Sequence, residues 1–176
     1  MPRHAKPVLL PDSGPLITLA YADALDSLFK PGWQVALVDM VLHELTRNDT
    51  PTSARLAQWA QDRKLPVYTT RTYRRHAQAQ AASAKAAPTA DLGELAIQEV
   101  MNDLALANPP GTGVFLFEDH KIARASFLLP QSCRKVSTRA FLIFLEEKGW
   151  LDSAAEVERR AILAGRAFSM KRFPPE

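Results

Sequence analysis

Short apolar runs alternate with longer stretches of helical period along this chain, and that alternation restricts it to one class of fold. The runs are VLL at 8–10, WQVALV at 33–38, VYTT at 67–70 and VFLFE at 114–118. Each is short and β-prone or apolar, with breakers such as Pro, Gly or Asp nearby, so each reads as a strand. Helical spacing fills the intervals. GPLITLAYADALDSLF at 14–29 has Pro15 at a first helical position and stops before Pro31-Gly32. MVLHELTRN follows Asp39, a candidate cap, and SARLAQWAQDRK follows with Ser53 as its expected N-cap. The stretch ADLGELAIQEVMNDLALAN carries a long apolar stripe, from Leu92 through Ala96 and Val100 to Leu104. Helices are also expected at DHKIARASFLL, at STRAFLIFLEEKG from Ser137, and at SAAEVERRAILAGRAF with Ser153 as cap; Val136 marks a short strand. Residues 71–89, rich in Ala, Gln and Arg, read as a helical arm or a flexible loop. Strands alternating with helices define an α/β fold with a parallel sheet covered on both sides.

The chain has 176 residues, a length that fits one domain over 1–176 with a sizeable core. Cys133 is the only cysteine, which rules out an internal disulfide and any Cys-rich zinc site. The N-terminus has no apolar signal-peptide core, and the densest apolar run, FLIFL at 141–145, is far too short for a membrane span. A cytoplasmic protein with no membrane partner is the expectation. Net charge is +3 with a pI near 9.2, a mild lean toward polyanions. Arg71, Arg74 and Arg75 cluster beside His76, and Arg159, Arg160, Arg166, Lys171 and Arg172 gather toward the C-terminus. Each cluster reads as a solvated face or as a nucleic-acid contact. PPGTGV is not a phosphate loop, since no Lys follows its glycines and it precedes a strand.

Ligands of open α/β sheets bind outside the carboxyl ends of the strands, so the acids expected there are the candidates for chemistry. Asp12 follows the first strand in PDSGP, where ordinary turn chemistry also explains it. Glu44 lies one turn into the helix after the second strand, and Asp119 follows VFLFE. Asp91 and Glu94, spaced i, i+3, open the helix that leads into VFLFE; as DLGE they also read as a capping box. Asp119 reads equally as an N-cap, and Glu118 as a strand residue facing away from its neighbour. Several carboxylates at one sheet edge would repel one another in a low-dielectric cleft, and a hard divalent cation removes that conflict. Mg²⁺ or Mn²⁺, one ion or two, takes oxygen ligands and suits phosphodiester chemistry inside a basic rim.

The motifs DSGPLITL at 12–19, VLHEL at 41–45, DLGELAI at 91–97 and DHKIAR at 119–124, in this order, resemble those of PIN-domain nucleases over residues 7–150. Within that superfamily they are similar to the branch that includes VapC-type toxins. The resemblance implies a three-layer α/β/α fold with a central parallel sheet of four or five strands. It implies a metal-dependent endoribonuclease that cuts single-stranded RNA with water activated by the metal. Asp12, Glu44, Asp119 and one or both of Asp91 and Glu94 would be catalytic and metal-binding. Ser13 would orient the first acid or a water, and Arg71, Arg74 and Arg75 would bind substrate. Many relatives are dimeric toxins held by a small antitoxin, which makes a homodimer and an antitoxin expected partners. Residues 71–90 would then be a substrate arm or partner insertion, and residues 151–176 a C-terminal helix and tail. The alternative is a catalytically silent RNA-binding or regulatory domain that keeps the fold.

Overall fold

The computed structural model describes residues 5–83, 85, 91–118 and 129–166. Four parallel strands form the central sheet in the order β2–β1–β5–β6: Gln34–Val35, Val8–Pro11, Gly113–Phe117 and Arg134–Ser137. The strands next in sequence, β3 (Leu37–Val38) and β4 (Val67–Tyr68), pair in parallel as a separate short ladder. Every residue of β1 and β5 is buried. Because neighbouring side chains in a strand point to opposite faces, burial of the whole run requires cover on both. Register places Val8 beside Gly113 and Pro11 beside Leu116, so the central strands end together.

The helices are α1 (Ser13–Tyr21), α2 (Asp39–Thr46), α3 (Pro51–Asp62), α4 (Arg71–Ala82), α5 (Leu92–Leu106), α6 (Thr138–Glu147) and α7 (Ala154–Leu163). Helix α5 packs on the sheet face that carries Gly113, where a Cβ would meet Met101 and Leu104. The core is aliphatic, with Leu9, Leu10, Leu16, Leu19, Leu28, Ile97 and Leu116 fully buried, and Phe115 and Phe141 its largest members. Ser137 and Ser153 cap α6 and α7 as expected, accepting from the N–H of Ala140 and Glu156.

Three local expectations need correction. The helix expected over 14–29 is two elements: α1 stops at Tyr21, Asp23 takes a left-handed φ of 54°, and a 3₁₀ turn runs Leu25–Phe29. Its apolar spacing persists because Leu25 and Leu28 still reach the core. The strand expected over 33–38 breaks at Ala36, whose N–H donates to Leu9 O before the chain turns to pair with β4. The cap of α3 is Thr50, not Ser53: Pro51 begins the helix and Thr50 Oγ1 accepts from the Ser53 N–H at 3.1 Å. Of the ambiguous stretch 71–89, residues 71–82 are helix. The helix expected at 119–129 lies almost wholly outside the described residues.

Candidate active site

Asp12 stands where β1 becomes α1. Its N–H donates to Leu116 O at 2.9 Å, which continues the β1–β5 ladder one step past Pro11. The backbone stays extended at Asp12, and its Oδ1 accepts from the Ser13 N–H at 2.8 Å as the N-cap of α1. A carboxylate there also meets the positive end of the helix. Only 1% of Asp12 is exposed. The turn and the placement are therefore one feature: the cap that starts α1 holds a buried carboxylate at the sheet edge. Ser13 meets Asp12 through its main-chain N–H.

One strand over, β5 ends at Phe117 and Glu118 follows. Glu118 is 5% exposed, and its Oε1 accepts from Thr18 Oγ1 at 2.7 Å. The same hydroxyl accepts from Arg166 Nε at 3.1 Å, so Arg166, three residues past the end of α7, reaches the α1–β5 junction. Gly14 makes this fit, since a Cβ there would lie 2.5 Å from Glu118 Cγ. Asp119 falls outside the described residues. Sequence reasoning sets Glu118 aside because a strand residue alternates face with its neighbour; the structure buries it against α1. The polar Thr18 inside an otherwise apolar helix face was the one available signal for its partner.

Glu44, half-buried on α2, meets the start of α5. Its carboxylate oxygens lie 3.0 and 3.1 Å from the place a Cβ on Gly93 would occupy. The glycine of DLGE thus leaves room for an acid from another helix, a contact that only the tertiary fold creates. Glu94, half-buried, is in the first turn of α5. Asp91 is exposed, takes a left-handed φ of 61°, and makes no side-chain cap bond. The capping-box alternative therefore fails at its Asp: a left-handed residue lacks the extended backbone of an N-cap. Asp39, also at a strand end, is committed elsewhere. It accepts from the Met40 N–H and from both the N–H and hydroxyl of Thr70, each at 2.7 Å.

The arginine cluster lies on α4, against α5. Arg71 and Thr72 donate main-chain and side-chain bonds to Glu99, which closes the N-terminus of α4 from the neighbouring helix. Burial opposes charge on Glu99, but the bonds from Arg71 and Thr72 outweigh it and hold the carboxyl below its ordinary range. Arg74 and Arg75 are exposed. His43, next to Glu44, turns its ring toward Tyr73 and the buried His76, 5.5 and 5.2 Å away between centroids. Burial first, then the charges of His76 and Arg47, lower its pKa.

Among the described residues no three His, Cys, Asp or Glu side chains come close enough together to hold a metal ion. The structure does bring Asp12 and Glu118 to adjacent strand ends, and Glu44 to the α5 turn that holds Glu94. No helix among the described residues is long and apolar enough to cross a membrane.

Fold and edge define a parallel α/β protein with two buried acids, Asp12 and Glu118, at adjacent strand ends of its sheet. No family model matches the chain, and no curated protein matches it by sequence. Among solved structures it is similar to the PIN domain of T. brucei RRP44, 17% identical with a TM-score of 0.49, over 82% of this chain and 83% of that one.

Proposed function

We propose that the protein is a divalent-metal-dependent endoribonuclease that cuts single-stranded RNA. The observation that carries this reading is Asp12. It is a buried carboxylate fixed at the end of β1 and hydrogen-bonded through its main chain to the strand that runs directly into Glu118 and Asp119. A buried acid needs compensation by bonds or by a cation. The donor set fits Mg²⁺ or Mn²⁺, being carboxylate oxygen with no cysteine near it. The space left at Gly93 lets the Glu44 carboxylate approach α5 where a side chain would otherwise stand. In this reading Asp12, Glu44 and Asp119, with Glu94 or Asp91, would hold one or two ions. When bound, such ions neutralise the acids and polarise the phosphodiester and the attacking water. The chain's own contribution is positional: β1 and the α1 cap fix Asp12, Gly93 admits Glu44, and the arginines of α4 hold the polyanion.

The toxin role and a protein partner belong to the same proposal. Ile143, Trp150, Ile162 and Leu163 are exposed apolar side chains on α6, α7 and the loop between them, and they support a surface for a second copy or a small antitoxin. The test is cleavage of a labelled single-stranded RNA with Mn²⁺, with and without chelator. Wild-type protein should cut only with metal, and Asp12→Asn plus Asp119→Asn should abolish cutting. Unchanged cutting by that variant refutes the assignment. Metal-independent binding without cleavage would instead support the silent-domain alternative.

A further inference from the structure

Helices α1, α2 and α3 border an open groove of about 470 Å³. Ile17 and Tyr21 line it from α1; both are half-buried, and their i, i+4 spacing puts them on one helix face. Ser13 stands four residues before Ile17 on that face, next to Asp12. At about 1.5 Å of rise per residue, the face runs roughly 12 Å from the Asp12 cap to Tyr21. Glu44 lines the groove from α2, and Asn48 from just past that helix. Thr52, at the start of α3, completes it. Tyr21 and Thr52 also border a neighbouring hollow of about 230 Å³.

We propose that this groove binds one nucleotide of single-stranded RNA beside the scissile phosphate, with its base stacked on Tyr21 and its edge toward Asn48. The choice of substrate rests on the nuclease reading, and the groove adds a subsite to it. Position is the first argument. The groove includes Glu44, one of the acids assigned to the metal, so a strand held at those acids has this surface beside it. Charge is the second. Apart from Glu44 no charged side chain lines the groove, which suits a base and its sugar and leaves the phosphates to the cation and the arginines of α4. The third is the shape of the apolar surface. Leu45 and Leu56 also line the groove but are only 6% and 3% exposed, so the accessible apolar patch is Ile17 and Tyr21. That patch is small for the apolar face of a partner helix, and it offers an aromatic ring to a base of any identity. The polar wall is selective in its turn. The hydroxyls of Thr50 and Ser53 already bond each other at 2.8 Å, whereas Asn48 is exposed and its side chain makes no hydrogen bond among the described residues. Its carboxamide offers two donors and an acceptor to a base edge.

Stacking acts on bases and not on the backbone, which sets the experiment. It is equilibrium binding to the full-length protein, in EDTA and over a range of salt, of a labelled single-stranded RNA of mixed sequence and of an abasic ribose-phosphate strand of the same length. Without divalent metal no cleavage occurs under the nuclease reading, so binding is measured whether or not the protein is an enzyme. Wild-type protein should bind the base-bearing strand more tightly. Tyr21→Ala should weaken that strand about tenfold, leave the abasic strand alone and keep the salt slope. Tyr21→Phe, which retains the ring, should stay within about twofold of wild type. Asn48→Ala should weaken the base-bearing strand about threefold. Thr52→Trp fills the groove from α3 and should reproduce the loss if Tyr21→Ala fails to fold, with circular dichroism reporting folding of each variant. Equal binding of the two strands by wild type overturns the inference. So does unchanged RNA binding by folded Tyr21→Ala or Thr52→Trp, the result expected if the groove takes a protein segment instead. If these variants lose base-dependent binding while a separate Mn²⁺ assay of wild type shows no cutting, the subsite stands and the nuclease reading falls. If wild type cuts RNA and the variants bind it as wild type does, the nuclease reading stands and the subsite falls.

Discussion

Gly14→Ala should destabilise the protein although it places a better helix former in α1. A Cβ at residue 14 would stand 2.5 Å from Glu118 Cγ. Carbon atoms in contact prefer about 3.5–4.0 Å, so the overlap is about 1 Å. Glu118 cannot step aside without loss, because it is 5% exposed and accepts from Thr18 Oγ1 at 2.7 Å. Breaking a hydrogen bond to a buried charged group costs about 1.5–3 kcal/mol, and overpacking itself costs about 1–3 kcal/mol. Better helix propensity returns at most about 1 kcal/mol. The net loss should be about 1.5–5 kcal/mol, which lowers Tm by about 3–20 °C in a chain of this size. Urea unfolding of wild type, Gly14→Ala, Glu118→Ala and the double variant closes a double-mutant cycle. Truncating Glu118 removes the clash, so the double variant should lose less than the sum of the singles. A Gly14→Ala protein as stable as wild type, with additive energies around the cycle, would refute the packing of Glu118 against α1.

Gly93→Ala is the functional counterpart. Here the new Cβ meets the carboxylate end of half-buried Glu44, both oxygens and Cδ, at 3.0–3.3 Å, so Tm should move little while Mn²⁺-dependent RNA cleavage falls about 10–100-fold through displacement of that carboxylate. Thr50→Ala should cost about 1 kcal/mol through loss of the α3 cap, measured by urea unfolding, and Ser53→Ala clearly less. Because the folded-state pKa of Glu99 is depressed, its stabilising effect is present above the ordinary glutamate range and disappears as pH falls through the folded value. The stability gap between wild type and Glu99→Gln, followed by Tm against pH, should therefore be wide at neutral pH and close in acid.

The parts of the fold that local periodicity controls were legible. The apolar runs marked β1, β5 and the span of β2 and β3, and Ser137 and Ser153 marked helix starts. Asp12 was legible as both turn and edge residue, since a Pro-Asp-Ser-Gly-Pro stretch follows an apolar run; its role as the cap of α1 came from the structure. What local pattern could not give depends on neighbours distant in sequence. The break at Ala36 exists because the chain leaves β1 for β4, and nothing within WQVALV records that exchange. Helix α4 has its own N-cap in Thr70, whose Oγ1 accepts from the Tyr73 N–H, but the N–H groups of Arg71 and Thr72 are met by Glu99, an acid 28 residues from Arg71. Gly93 looked like part of a capping box, but its lack of a side chain serves Glu44 on α2. Glu118 was set aside by strand alternation, and its bond to Thr18 spans 100 residues.

The site itself is tested most directly by crystals soaked in Mn²⁺ and measured for anomalous scattering. A peak shared by the carboxylates of Asp12 and Asp119, lost in Asp12→Asn crystals, is the result expected here. Well-diffracting soaked crystals with no peak at that strand edge, or with those two carboxylates turned away from any common ion, would contradict it.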